Sequence, residues 1–456
     1  MSQTAELVSE RQCREALDAA IGAARGSGVA EVEVLIGAER EALTRFANNT
    51  IHQNVEAIEH HVSVRVITDQ RTARATTSSF DQGAIARATT QAIALARASA
   101  PDPGLCPLLE PSEAGTPPAV NRFDEATAAA TPHSRAEAVQ RAIDAVRSAG
   151  QTAAGIYSNG ESFEAILNSA GVAAFHRQTS AVFSITALAE DSSGWAKVSS
   201  TSSKDVDAEF LARQAADKAR RSRHPREIPP GRYTVILSPA AVLDLAGQIF
   251  ADFSATAIAD DRSFLSGRMG EALFGENISI TDDVTHPLQS GPAFDGEGAA
   301  RSRLSLVERG VAKEVAYGRT AARREGRTAT GHGFPQPSDA GEMPVNIVIA
   351  GGGTSIEDMI ASTRRGIFVT RLWYIREVDP YEKIMTGMTR DGTFWVENGE
   401  MQYGIRNLRF NQSVVDLLRN VDALSPPVRA SGEESFDMVV PAMRANEFEF
   451  SEVTRY

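Results

Sequence analysis

At 456 residues the chain is too long for one ordinary hydrophobic core, and 42% apolar with 23% charged content fits two or three globular domains. A net charge of −13 excludes a general nucleic-acid binder, which needs a basic footprint against phosphates. No run of about 18 apolar residues occurs, so no membrane span is expected. The first residues, MSQTAELVSERQCREAL, are polar and acidic, unlike a secretory signal. Cys13 and Cys106 are the only two cysteines, which points to a reducing compartment without a disulfide framework.

Ser9 to Arg25 reads as an amphipathic helix, with Ser9-x-x-Gln12 as capping box and Gly26 and Gly28 as the stop. Short alternating runs then predict strands at Glu31–Ile36, Glu41–Phe46 and His61–Ile67. In the last, Val62, Val64 and Val66 share one face, and Arg71–Thr77 is its hairpin partner. Asp81–Ala98 is a second helix. Prolines at 101, 103, 107, 111, 117 and 118 predict an extended, irregular connector. A third helix follows over Ser134–Ala149, with Ser134-x-x-Glu137 as its cap signal. Further runs at Thr152–Ser158, Ser162–Ser169, Val172–Thr179 and Ala181–Glu190 are punctuated by Gly160, Gly171 and Gly194. Val206–Ser222 closes this region as a helix whose end carries Arg220, Arg221 and Arg223, cations that suit a helix C-terminus.

His224-Pro225 to Pro229-Pro230-Gly231 marks a second boundary. Tyr233–Leu237 is strand-like. Ser238-Pro239 then opens a helix expected to run to Phe253, with Val242, Leu245, Ile249 and Phe253 at helical spacing. Hairpins are predicted at Glu308-Arg309-Gly310 and at Asn398-Gly399. Pro344–Ile349 is a buried-strand candidate, and Thr354 or Ser355 caps a helix after it. The expected fold class is α+β: an N-terminal α+β part with antiparallel sheets and flanking helices, then a C-terminal β-rich domain. The expected division is 1–100 as an N-terminal α+β domain, 101–122 as Pro-rich connector, 123–225 as a middle α+β segment, and 232–456 as the C-terminal domain.

Zinc needs three or four convergent His, Cys or carboxylate ligands. The eight histidines, at 52, 60, 61, 133, 176, 224, 286 and 332, form no HExxH or HExxxH pair and read as scattered structural or surface residues. Gly351-Gly352-Gly353-Thr354-Ser355 lacks the lysine of a phosphate loop and reads as a strand-to-helix turn. Arg319, Arg323, Arg324 and Arg327, in a region ending at His332, read first as a solvated face. The sharper reading is a docking patch for an acidic partner or a peptide carboxylate. No G-x-S-x-G supports a serine hydrolase.

Val64-Arg65-Val66 with its hairpin, the FDGEG turn at 294–298, Gly366-Ile367-Phe368-Val369-Thr370 and FWVENGE at 394–400 together resemble the TldD/PmbA family. The resemblance covers nearly the whole chain. Catalytic members carry an HExxxH zinc motif on the helix entering the C-terminal domain, and a cysteine ligand near the C-terminus. Here those six positions read Leu243-Asp244-Leu245-Ala246-Gly247-Gln248, and no cysteine follows Cys106. The FDGEG and FWVENGE forms are more similar to the PmbA branch, also called TldE, whose members lack zinc ligands and pair with a TldD-type subunit. The resemblance therefore implies a cytoplasmic, heteromeric metallopeptidase acting on small or unfolded peptides. This chain would hold no metal and have no catalytic residue of its own, with zinc in the partner subunit. Alternatives are a stand-alone peptide-binding or scaffold protein, as a homodimer, and a hydrolase with an unrecognised site.

Overall fold

The computed structural model describes residues 7–454. The reading of the N-terminus as lacking a secretory signal rests in part on residues 1–6, outside that span. Six strands build the N-terminal sheet: β1 Glu31–Ala47, β2 Thr50–Thr68, β3 Arg71–Thr77, β4 Thr152–Asn168, β5 Ala173–Leu188 and β6 Ser193–Ser200. Their order is β3-β2-β1-β4-β5-β6, antiparallel throughout. β1 pairs with β4 from Glu33↔Asn168 to Phe46↔Gly155, so one sheet continues across the Pro-rich stretch.

The short runs read as separate strands fuse into long ones. Residues 31–36 and 41–46 both lie in β1, and 152–158 with 162–168 in β4. Gly160, expected as a break, sits inside β4. A Cβ there would fall 2.3 Å from the Arg40 carbonyl oxygen, so the glycine admits a close neighbouring backbone instead of ending the strand.

Two pairs of helices cover the sheet. Glu10–Arg25 and Gln82–Ala98 bury Ala16, Ala20, Ile85 and Ala92 against Val32, Val34, Val62 and Val64. Pro132–Ser148 and Ala208–Arg221 bury Val139, Ile143 and Ala212 against Phe183 and Ile185. The predicted capping box at Ser9 and Gln12 is present. The third helix is capped by Thr131, with Ser134 at its third position. Pro132 supplies helical φ at the first position, so the helix starts earlier than the Ser134 cap signal implied.

The C-terminal part holds two sheets around the largest core. One has six strands, in order Val311–Ala312, Leu304–Glu308, Ile280–Asp282, Ile347–Ile349, Met438–Val440 and Val428–Ala430. The other has nine and centres on Gly231–Leu237, flanked by Arg365–Val369 and Met443–Val453. Phe250, Phe253, Phe410, Phe448 and Phe450 are buried between the elements. Each such side chain stabilises the fold by about 1.5–3 kcal/mol. Both predicted hairpins form with paired positive φ: Arg309 at 47° with Gly310 at 80°, and Asn398 at 51° with Gly399 at 83°. Ser355 caps Ile356–Ala361.

The helix expected from Ser238 to Phe253 is shorter. Its α-helical part is Pro239–Ala246, and Gly247–Asp252 tightens into 3-10 geometry. A Cβ on Gly247 would lie 2.0 Å from Ser435 Oγ. Close packing of a distant segment at this glycine coincides with the change in helix type.

Candidate functional site

The Ser238 hydroxyl caps the helix by accepting the Ala241 N–H, which fixes the helix start at the end of the Gly231–Leu237 strand. The next turn carries Leu243, Asp244 and Gln248. Leu243 is fully buried in the C-terminal core. Asp244 Oδ1 accepts the backbone N–H groups of Glu433, at 3.1 Å, and Glu434, at 3.0 Å. Its other oxygen is buried without a hydrogen-bond partner. Burial pushes the Asp244 carboxyl up to about 6, against the opposing pull of those two N–H groups and of Arg371. Gln248 Nε2 donates to the carbonyl oxygens of Asp244 and Glu434, at 3.0 and 3.1 Å.

The segment around Gly432 to Ser435 lies directly on this helix. A Cβ on Gly432 would fall 2.0 Å from Asp244 Oδ1, matching the approach of Ser435 to Gly247. The segment is held from several sides. Lys197 on β6 donates to the Gly432 carbonyl at 2.6 Å and pairs with Glu433 at 3.1 Å. The Glu434 carboxylate accepts the N–H groups of Tyr374 and Ile375 and pairs with Arg376 at 3.2 Å. Tyr374 sits at φ 58°, an outlier for a bulky side chain. Arg429 pairs with Asp437 at 2.9 Å.

A zinc ion does not fit this constellation. Leu243 has no donor atom, Gln248 directs its amide N–H groups at main-chain carbonyls, and Asp244 is left as a single carboxylate. Among the described residues no group of three or more His, Cys, Asp or Glu is placed to hold a metal ion. Cys13 and Cys106 are both buried. Beside the segment lies a cleft of about 950 Å³ between the two parts of the chain, lined by Trp195, Lys197, Lys218, Pro239, Phe368 and Ser431 among others. Burial lowers the Lys218 ammonium to about 8, and its Nζ donates to the Trp195 carbonyl at 2.8 Å.

The arginine cluster divides. Arg323, Arg324 and Arg327 are exposed on and just after the Arg319–Glu325 helix. Arg319 turns inward and pairs with Glu297 at 3.0 Å. His332, read as the end of a surface patch, is buried. Its Nε2 lies 3.2 Å from Asp282 Oδ1, and Nδ1 lies 2.9 Å from the Thr330 hydroxyl. Asp282 in turn accepts the N–H groups of Val345 and Asn346. A second buried network escaped the sequence reading. Glu33 on β1 takes Arg74 at 2.6 Å and Arg65 at 3.5 Å, and Arg65 reaches Glu297 at 3.8 Å. The alternation of β1–β3 put these charges on the face opposite the valines, but only the approach of the C-terminal part buries them.

Models of the PmbA/TldA metallopeptidase match the chain as domain 1 over residues 32–96, central domain over 110–223 and C-terminal domain over 230–452. The chain belongs to the PmbA/TldD metallopeptidase family. It is 24% identical to metalloprotease PmbA of Escherichia coli O157:H7 over 463 residues, 96% of each chain. It is 37% identical to an uncharacterized protein of Methanocaldococcus jannaschii over 161 residues, 33% of this chain and 37% of that one. A metalloprotease of Methanothermobacter thermautotrophicus is 26% identical over 290 residues, 60% of this chain and 62% of that one. These two alignments thus span less than two thirds of each relative's length.

The fold matches the crystal structure of TldE from Thermococcus kodakarensis with a TM-score of 0.86 at 20% identity, covering 97% of this chain and 100% of that one. A putative modulator of DNA gyrase from Thermotoga maritima matches at 0.85 and 22% identity, covering 96% and 100%. The motifs that carry the PmbA/TldD resemblance occupy defined places. FDGEG forms the turn whose Glu297 closes the buried charge network. GIFVT forms most of the Arg365–Val369 strand beside Gly231–Leu237, and FWVENGE its antiparallel hairpin neighbour.

Proposed function

We propose that this chain is the metal-free, PmbA (TldE)-type subunit of a zinc peptidase. The metal belongs to a TldD-type HExxxH partner, and the assembly acts on small or unfolded peptides in the cytoplasm. One observation carries the reading: the main chain around Gly432–Ser435 rests on the helix where catalytic members hold their ligands, hydrogen-bonded to Asp244 and Gln248. The side chains at the two histidine positions, Leu243 and Gln248, offer zinc no imidazole. The test is peptide hydrolysis by this chain, by the partner, and by the mixture. Zinc-dependent cleavage by the mixture alone is the expected result. Full activity from the partner alone, or one zinc per chain here after chelator washing, overturns it.

The cleft of about 950 Å³ favours a second reading, a stand-alone peptide binder. Its β6 edge and apolar lining suit an extended peptide without any metal. Peptide binding by this chain that is unchanged by the partner, with no cleavage by the mixture, would favour that reading.

A further inference from the structure

Phe436 and Asp437, which follow the Gly432–Ser435 segment, form part of the wall of a separate cavity of about 430 Å³. Met343 and Val345 supply further apolar wall, and Arg301 and Asn346 the polar part. That volume falls within the roughly 300–1,000 Å³ of small-molecule sites. Among the described residues the cavity shares no lining side chain with the cleft beside Trp195 and Lys218. Arg301 is its anomaly. Nε and Nη1 are buried, and among the described residues neither has a hydrogen-bond partner. Burial lowers the guanidinium below its ordinary value, and Asp282, Asp295 and Glu164 oppose this only through space. Asp282 is already engaged by the N–H groups of Val345 and Asn346, and Asp295 by those of Glu297, Ala299 and Gly333. Buried charges are ordinarily paired and hydrogen-bonded. Asn346, 3% exposed, is the second open group. Its Nδ2 donates to the Ser290 carbonyl at 2.9 Å, while its buried Oδ1 takes no donor among the described residues. The setting is cationic. Arg122 donates to the carbonyl oxygens of Val284 and Gly291, and Arg429 to that of Leu288 and to the Ser290 hydroxyl. Burial first, then the charges of Arg429 and Arg301, bring Arg122 down to about 10.

We propose that this cavity binds a small carboxylate with an apolar body, as presented by a leucine-like amino acid or by the last residue of a short peptide. The carboxylate pairs with Arg301, whose planar fork of donors matches it. The N–H beside the carboxylate, whether ammonium or amide, donates to Asn346 Oδ1. The apolar side chain packs on Met343, Val345 and Phe436. Each open group of the cavity thus gains a partner of the right sign, and the added negative charge relieves the repulsion among Arg122, Arg301 and Arg429. Asp437 does not oppose this, because Arg429 at 2.9 Å and the Ser199 hydroxyl already hold its carboxylate. The proposal goes beyond the metal-free reading and does not rest on it, since none of these residues belongs to the helix at Leu243–Gln248.

The test is a ligand-observed NMR titration of the full-length chain with four probes: N-acetyl-leucine, its amide N-acetyl-leucinamide, free leucine, and the tripeptide alanyl-alanyl-leucine. N-acetyl-leucine should bind with a Kd on the order of 1 mM or tighter, the range open to a ligand of about a dozen heavy atoms. The amide, which lacks the carboxylate, should bind at least about tenfold more weakly. Tighter binding of leucine assigns the site to a free amino acid, and tighter binding of the tripeptide assigns it to a peptide C-terminus. Two variants probe opposite walls. Arg301→Met removes the cation and should weaken N-acetyl-leucine at least about tenfold. Met343→Trp fills the cavity and should weaken it as much with every charge kept. Met343 is only partly buried, so circular dichroism and Tm of that variant should match wild type, and it carries the test even where Arg301→Met fails to fold. No binding of any carboxylate probe up to about 10 mM, which leaves the guanidinium to solvent alone, overturns the proposal. So does equal binding of the acid and its amide, or undiminished binding in Met343→Trp, which puts the probe elsewhere, as in the cleft beside Lys218.

Discussion

Asp244 shows most directly how burial sets the chemistry of one residue. Its carboxyl titrates near 6 when folded, above the ordinary 3.8, because burial outweighs two N–H hydrogen bonds. Between about pH 4 and pH 6 the folded state therefore binds more protons than the unfolded one. Stability from this group falls as pH rises through that window and is gone above it. Asp244→Asn keeps an oxygen for both N–H groups and does not ionise. It should flatten the pH dependence between 4 and 6, on the order of 2 kcal/mol at about 1.4 kcal/mol per pKa unit. Urea titrations at pH 4, 5, 6 and 7 measure this, and an unchanged slope would assign the dependence to another group. Tyr374 is a second local test. Its left-handed backbone is held by the Glu434 carboxylate. Asn tolerates that region better than Tyr, so Tyr374→Asn should stabilise by about 0.5–1 kcal/mol in thermal unfolding. A loss of stability would mean that the Tyr374 ring contributes more than the strain costs.

At the scale of an element, the Pro239–Ala246 helix and the segment around Gly432–Ser435 act as a unit. Neither Gly247 nor Gly432 has a positive φ that demands glycine; both are required by close approach. A methyl on Gly247 meets Ser435, and one on Gly432 meets Asp244, so the segment would have to move off the helix. Gly247→Ala and Gly432→Ala should each cost about 1–3 kcal/mol, the usual range for overpacking. Chemical denaturation checks the loss, and a neutral result in both would show the segment to be loosely held. The same packing bears on any attempt to rebuild the site. The triple change Leu243→His, Asp244→Glu and Gln248→His should yield no stoichiometric zinc by elemental analysis, because the third ligand and the groups orienting the first two are absent.

Across the whole molecule, buried charges join the two parts. Glu33 and Arg65 are each 1% exposed at the side chain, and Glu297 and Arg319 extend their network into the C-terminal part. Such pairs stabilise little compared with apolar packing, but removing one partner strands the others. Glu33→Gln should cost about 3–5 kcal/mol, because Arg65 and Arg74 lose their shared carboxylate. A cost below 1 kcal/mol in urea titration would show that water or Glu297 compensates. The Pro-rich connector is drawn into the same architecture. Leu108 and Leu109 are buried, the Leu108 N–H donates to Glu31, and Arg319 donates to the Pro107 carbonyl at 2.9 Å.

Local periodicity and turn chemistry determined a good deal by themselves. The Ser9 capping box, the β2–β3 hairpin around Val62, Val64 and Val66, and the Asn398-Gly399 turn were all legible. Each depends on residues close in the chain. The merging of the 31–36 and 41–46 runs into one strand follows its pairing with β2 on one side and with the distant β4 on the other, and the joining of the N-terminal strands into one sheet depended on β4, more than a hundred residues away. The same holds for the fate of Arg319 and His332, adjacent in pattern to the exposed Arg323, Arg324 and Arg327 yet drawn into buried pairs with Glu297 and Asp282. A charge looks alike in sequence whether it will face water or another charge. Only the tertiary packing around each pair removes the water and decides which one it is.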